Sequence, residues 1–269
     1  MRIAITGGQG FIGRATVTAA ETAGHDVWTF DRSDGHDILG PLASLESADH
    51  VIHLAGMLGT SELFDAAEEA VEVNVTGTLR VLQWCRAHGA GYTGMTMLPV
   101  FPSVYTATKM CAQRLATAWH QAYGLPVSHV RAFNAYGPHQ AHGPGHPQKI
   151  LPTFATEAWA GRPVPVWGDG TQTVDLVHAD DVGRMLVDAT RFGDDQVFDA
   201  GTGVPVTVNQ LASFVLADTR SPAGIKYLPM RAGEVPVQVV AEGLGWDLLD
   251  WKPELDWVRV ADAIRWYHR

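Results

Sequence analysis

Tyr105 and Lys109 stand four residues apart in Val104-Tyr-Thr-Ala-Thr-Lys109. If the segment is helical, both side chains project from one face. A phenol ordinarily titrates near pH 10, too high for a base at neutral pH. A neighbouring ammonium group favours the phenolate, so the pair could take a proton from a hydroxyl and return it. Alone, the pair also fits a surface helix with an incidental tyrosine and lysine. Further hydroxyls nearby are Thr93, Thr96 and Ser103, and no acidic residue lies between Ala90 and Tyr105.

A second group carries different chemistry. Thr6-Gly-Gly-Gln-Gly-Phe-Ile-Gly13 follows the apolar stretch Ile3-Ala-Ile5 and opens a helical pattern that reaches Ala23. Gly7, Gly10 and Gly13 allow a tight turn and a close backbone approach to a pyrophosphate. Phe11 and Ile12 begin the helix, whose free N–H groups and positive dipole end would hold that anion. The next strand pattern, 26–30, ends at Asp31, roughly 20 residues on, where a carboxylate holds an adenosine ribose 2′-hydroxyl. A carboxylate repels a 2′-phosphate and so argues for NAD. Arg32 beside it could tolerate the phosphate and leaves NADP open. A nicotinamide ring would add a second positive charge near Tyr105.

These groups need a scaffold. Strand patterns at 3–5, 26–30, 49–54, 92–97 and 127–131 alternate with helical ones to 23, from about 63, from about 74 to 87 and from 105 to 123. That alternation predicts an α/β protein, a Rossmann-type doubly wound parallel sheet. From Asn134 the texture changes, with Gly and Pro frequent in GPHQAHGPGHPQ. A smaller C-terminal α/β substrate-binding region is expected there, while 175–189 and 198–201 read as returns to the main sheet. The expected division is 1–133 plus 174–201 for the NAD-binding domain, and 134–173 plus 202–269 for the substrate region. His139, His142 and His146 in the Gly/Pro-rich loop lack the framework of a metal site. They read as part of a substrate-covering loop, and no metal is expected.

The 269 residues are 46% hydrophobic and 18% charged, ordinary for a globular chain with a large core. A net charge of -10 argues against a nucleic-acid partner but permits an anionic ligand held by placed cations. Cys85 and Cys111, both in helical patterns, read as buried free thiols in a reducing compartment. The first residues read as a strand rather than a signal peptide, and no apolar run approaches the roughly 20 residues of a membrane span. A soluble, cytoplasmic protein with no membrane partner is expected.

Several further motifs follow in order: His53-Leu-Ala-Gly56, Asn74-Val-Thr-Gly-Thr78, Arg131-Ala-Phe-Asn-Ala-Tyr-Gly-Pro138, Gly168-Asp-Gly-Thr-Gln172, Arg231-Ala-Gly-Glu234 and Leu244-Gly-Trp246. With the glycine turn and the Tyr–Lys pair, they resemble the extended short-chain dehydrogenase/reductases. Within these the chain is similar to the NAD-dependent nucleotide-sugar epimerase/dehydratase group, of the UDP-glucose 4-epimerase kind. The resemblance covers essentially the whole chain.

It implies that Asp37 and Ile38 lie against the adenine. Leu54, Ala55 and Gly56 would line the cofactor cleft, and Asn74 would hold the active-site side of the sheet. It implies a hydroxyl at the end of the 92–97 strand, for which Thr96 is the candidate, with Ser103 lining the sugar pocket. The substrate side would use Asn134, Gln172 and Arg231, the last on a diphosphate. Where the family often has a second arginine this chain has Val174, and Lys149 is the candidate replacement.

The family's usual Ser-Ser-x-x-Val-Tyr-Gly segment is shortened here. Its dehydratases resemble one another in an Asp-Glu pair near that segment, and some epimerases need a cysteine there; neither is present. The expectation is therefore C4 epimerisation through a transient 4-keto sugar. Alternatives are an NAD(P)H-dependent keto-sugar or carbonyl reductase, and a non-catalytic NAD or nucleotide-sugar binding protein. The resemblance also implies a homodimer through the helices near 75–87 and 105–123, for which Val81, Trp84, Leu115 and Trp119 read either as a seam or simply as core.

Overall fold

The computed structural model describes residues 1–45 and 47–268. Six parallel strands form the central sheet, in the spatial order Asp194–Ala200, Val127–Ala132, Gly91–Thr96, His50–His53, Arg2–Thr6, Asp26–Phe30. The four inner strands are mostly buried on both faces, as expected where helices cover both sides, and the two edge strands are only partly so. Alternation sends Ile3 and Ile5 to one face and Ala4 to the other. The first face packs on the helices Phe11–Thr22 and Ala179–Ala189; the second packs on Gly77–His88 and Val104–Tyr123. The chain reverses its winding direction at the first strand. The crevice at the carboxyl ends of the strands is therefore where a ligand of this fold binds.

Residues after 134 build a second core around Phe154, Leu211, Val215, Val260 and Ile264. Two buried aspartates tie it to the sheet. Asp199 takes a two-pronged contact from Arg131 at 2.7 and 2.9 Å and accepts the N–H groups of Glu242, Gly243 and Leu244. Asp175 accepts from Thr202, Gly203 and Ala241. Each carboxylate is buried but fully bonded, which offsets its desolvation.

The structure refines the sequence expectations in several places. The helical patterns on either side of residue 74 are one continuous rod, Ala67–Val71 and Gly77–His88 joined by a π-turn at Glu72–Thr76. Of the expected returns to the main sheet, the helix Ala179–Ala189 and the strand Asp194–Ala200 make one, but Leu176–His178 pairs with Asn134–Tyr136 instead. Cys85 is buried, whereas Cys111 is exposed on the outer side of its helix. Of the residues read as seam or core, Val81 and Trp84 belong to the core, while Leu115 and Trp119 are partly buried against it.

Candidate active site

The glycine turn is built by exclusion of side chains. Gly7 has φ 71°, and a Cβ on it would lie 2.7 Å from the Ala55 nitrogen. A Cβ on Gly13 would sit 2.1 Å from the Gly7 carbonyl oxygen. The turn thus presses against the 54–56 segment at the end of the neighbouring strand, and Phe11 and Ile12 open the helix at the cleft wall. Asp31 and Arg32 stand at the rim of the same cleft. The Asp31 carboxylate is fixed there by the Gln9 and Ser33 N–H groups, at 3.1 and 3.0 Å. Asp37 and Ile38 line the far end, and Leu54, Ala55 and Gly56 line the floor.

Asn74 does not line this cleft. The π-turn aims its buried amide at Met57, accepting from the backbone N–H at 2.7 Å and donating to the carbonyl at 3.1 Å. It also donates to Thr108 at 3.0 Å, which ties the cleft floor to the Tyr105 helix. A π-turn is a common device for re-aiming one side chain in a helix.

Beneath lies a closed chain of hydrogen bonds. Leu54 and Ala55 N–H groups donate to Thr6 Oγ1, so the Thr6 proton goes to His53 Nδ1 at 2.7 Å. Thr78 donates to the Asn74 carbonyl, so its oxygen accepts from His53 Nε2 at 3.1 Å. His53 is therefore the neutral Nε2–H tautomer. Burial, with a smaller push from the Lys109 cation, holds its pKa down at about 3.

The helix Val104–Tyr123 carries Tyr105 and Lys109 into the cleft. Burial pushes Tyr105 up to about 12 and pulls Lys109 down to about 8. Lys109 is thus still an ammonium ion at neutral pH. Tyr105 lines a second cavity as well, so it stands where the cofactor cleft opens into the substrate side. Met95, the residue before Thr96 on its strand, lines both cavities too. Thr96 also lines the second cavity, but its hydroxyl donates to Gln113 at 2.7 Å. Ser103 does not line the sugar pocket. It is the buried N-cap of the Tyr105 helix, its oxygen accepting the Thr106 N–H at 3.2 Å.

Further along, Asn134 and Lys149 line both the second cavity and a third that continues the trough. Gln172, Val174 and Arg231 line the third. Gln172 donates to the Trp167 carbonyl at 2.6 Å. The Arg231 guanidinium lies over the Trp167 ring, 4.6 Å from its centroid, and bonds Glu234 and Gln148. Lys149 is pulled down by burial and by Arg231, and pushed up by Glu62 and Glu234. Sequence reasoning missed Met95, Gln113, Trp167 and Glu62. Trp167, beside the Gly168-Asp-Gly turn, had a signal in its position; Glu62 had none.

A doubly wound sheet with this glycine turn and a Tyr–Lys pair at its carboxyl edge defines a dinucleotide-dependent enzyme of the short-chain dehydrogenase/reductase type. The sequence profile of the NAD dependent epimerase/dehydratase family matches residues 3–201. The chain belongs to that family. It is 27% identical to a UDP-glucose 4-epimerase of Mycolicibacterium smegmatis, over 98% of this chain and 96% of the relative. It is 28% identical to a dTDP-glucose 4,6-dehydratase of Streptomyces griseus, over 93% of this chain and 80% of the relative. Among solved structures, MoeE5 in complex with UDP-glucose and NAD superposes with a TM-score of 0.87 at 27% identity, covering 99% of this chain and 98% of that one.

The cofactor is NAD, and the cleft fits it. Gly7 and Gly13 let the turn close against the 54–56 segment and the helix start without a side chain, as a pyrophosphate cradle requires, and the fixed Asp31 carboxylate suits an unphosphorylated ribose. Among the described residues no helix is long and apolar enough to cross a membrane.

Proposed function

We propose that the chain is a nucleotide-sugar epimerase acting at C4 of a hexose through a transient 4-keto sugar. The observation that carries this reading is the position of Tyr105, at the opening between the NAD cleft and the substrate cavity. NAD, when bound, supplies hydride acceptance and return. Tyr105 takes the proton of the C4 hydroxyl and later gives it back from the same oxygen. Lys109, an ammonium ion at neutral pH, supplies the nearby positive charge that a phenolate needs in a site where burial opposes it. The Asn74 bonds keep the Tyr105 helix and the cofactor floor in register, so that the hydroxyl meets both.

Epimerisation rather than dehydration is supported by the wall of the substrate cavity. Among the described residues lining it, the ionisable ones are Tyr105, Tyr136 and Lys149. Tyr136 donates to the Asp256 carbonyl, and no carboxylate is present to expel water. Thr96 would assist the reacting oxygen as an acceptor, or after releasing Gln113. Asn134, Gln172, Lys149 and Arg231 would hold the nucleotide diphosphate along the trough.

The test is proton NMR of the NAD-loaded protein with UDP-, dTDP- and GDP-hexoses, with Tyr105→Phe in parallel. The expected result is a new epimer signal without net reduction of the cofactor, absent in the variant. Formation of a 4-keto-6-deoxy product would replace this reading with dehydration.

A further inference from the structure

Arg231, which lines the trough, already has an anion from another loop beside it. Glu62 lies in the 3-10 turn Glu62–Phe64, on a loop that leaves the cofactor floor and crosses to the substrate side. Its Oε1 sits 3.7 Å from Arg231 Nη1 and accepts the Gln148 N–H at 3.0 Å. Its Oε2 packs where a Cβ on Gly59 would stand, 2.9 Å away. The same loop is fastened to the Arg231 segment twice more. Ser61 donates to the Ala232 carbonyl at 2.7 Å, and Phe64 packs on Gly233.

Two basic side chains, Arg231 and Lys149, here face two acidic ones, Glu62 and Glu234. A diphosphate entering with Glu62 in place would meet a carboxylate beside the guanidinium meant to hold it, a like-charge arrangement that weakens binding. Arg231 Nε is meanwhile buried without an acceptor, so the guanidinium still has an N–H to give. The two carboxylates are not equivalent. Glu234 belongs to the same turn as Arg231, its N–H bonded to the Arg231 carbonyl. Glu62 comes from a separate loop through a longer contact, so it is the one that can leave. Burial raises the Glu62 carboxyl, but the Gln148 N–H, Arg231 and Lys149 outweigh it and hold the group below its ordinary range. It is an anion at neutral pH.

We propose that Glu62 is an internal occupant of the anion subsite, displaced from Arg231 by the phosphate of an incoming ligand, and so a determinant of the charge this site accepts. The inference rests on the nucleotide-sugar reading for the identity of that ligand. Binding transfers the Arg231 contact from Glu62 to a phosphate oxygen, while Ser61 and Phe64 keep the loop fastened.

The test is calorimetric titration of the full NAD-loaded chain with inorganic pyrophosphate and with UDP. Glu62→Gln keeps an oxygen for the Gln148 N–H but removes the charge. It is expected to tighten both ligands by roughly fivefold, the scale of one partly screened charge pair. Glu62→Ala should move in the same direction, and Arg231→Gln should weaken both ligands. Unchanged or weaker binding by Glu62→Gln, with Arg231→Gln still losing affinity, would overturn the inference and make Glu62 a prop for the arginine. Opposite directions for Glu62→Gln and Glu62→Ala would overturn it too. Tighter pyrophosphate with no UDP binding to any form would uphold the inference and remove the nucleotide-sugar reading.

Discussion

The two halves of the trough hold their ligands by different means. The cofactor half is shaped by backbone: glycines that exclude side chains, a turn pressed onto a strand end, and a neutral network running from Thr6 through His53 to Asn74. The substrate half is shaped by charge, with Glu62, Lys149, Arg231 and Glu234 brought together from three separate segments. Backbone contacts of about 3 Å leave little freedom, so the first half is preformed. Ion pairs on partly exposed side chains are weak and exchangeable, so the second half can rearrange around what it binds. The difference teaches that the cofactor is the fixed component of this enzyme and the substrate the variable one.

Loss of the Tyr105 hydroxyl should have the largest effect and should spare both halves. Tyr105→Phe is expected to lower turnover by roughly 10² to 10⁴-fold, as for removal of a general acid/base. NAD content, read from the absorbance of the purified protein, should not change. A loss of NAD with the activity would mean that Tyr105 belongs to the cofactor half.

Gly13→Ala attacks the preformed half. With no room at 2.1 Å, the turn must open, and NAD affinity should fall by roughly a hundredfold, the upper end of overpacking costs. Calorimetric NAD affinity near the parent value would break the contrast, because it would make the cradle as adaptable as the trough.

The pH dependence of turnover probes the join between the halves. Lys109 is charged below about 8 and neutral above it. The reacting form pairs the Tyr105 phenolate with the Lys109 cation, so turnover should rise with pH up to about 8 and level off above it, where each gain in phenolate is offset by loss of the Lys109 charge. Lys109→Met should be slow at all pH values and lack this inflection.

The smallest effect sharpens the comparison through stability. Burial holds His50 and His53 at about 3, against 6.5 for an exposed histidine. Between those values the unfolded chain binds protons that the fold refuses. Stability is thus full above pH 6.5 and falls as pH drops toward 3, by up to about 1.4 kcal/mol per pH unit for each histidine. Urea midpoints at pH 7 and pH 5 should show the decline, and it should be smaller in His50→Gln. An unaltered decline in that variant would move the acid sensitivity away from the sheet under the cofactor.

The sequence by itself determined the sheet, the glycine turn, Asp31 and the placing of Tyr105 with Lys109. These depend on spacing within one strand, turn or helix, where period and backbone sterics act over a few residues. Tertiary structure decided the rest. Asn74 reached Met57 because a π-turn aimed it there, and Ser103 was taken up as the N-cap of the Tyr105 helix rather than by a pocket. Thr96 found Gln113 across the sheet face. Val81 and Trp84 could be read from the sequence as seam or as core, because periodicity shows an apolar face without saying what covers it, and the fold buries both. Glu62 carried no local pattern at all. Its role beside Arg231 comes from two loops meeting across the trough, a contact set by how the second core docks on the sheet rather than by any residue near it in the chain.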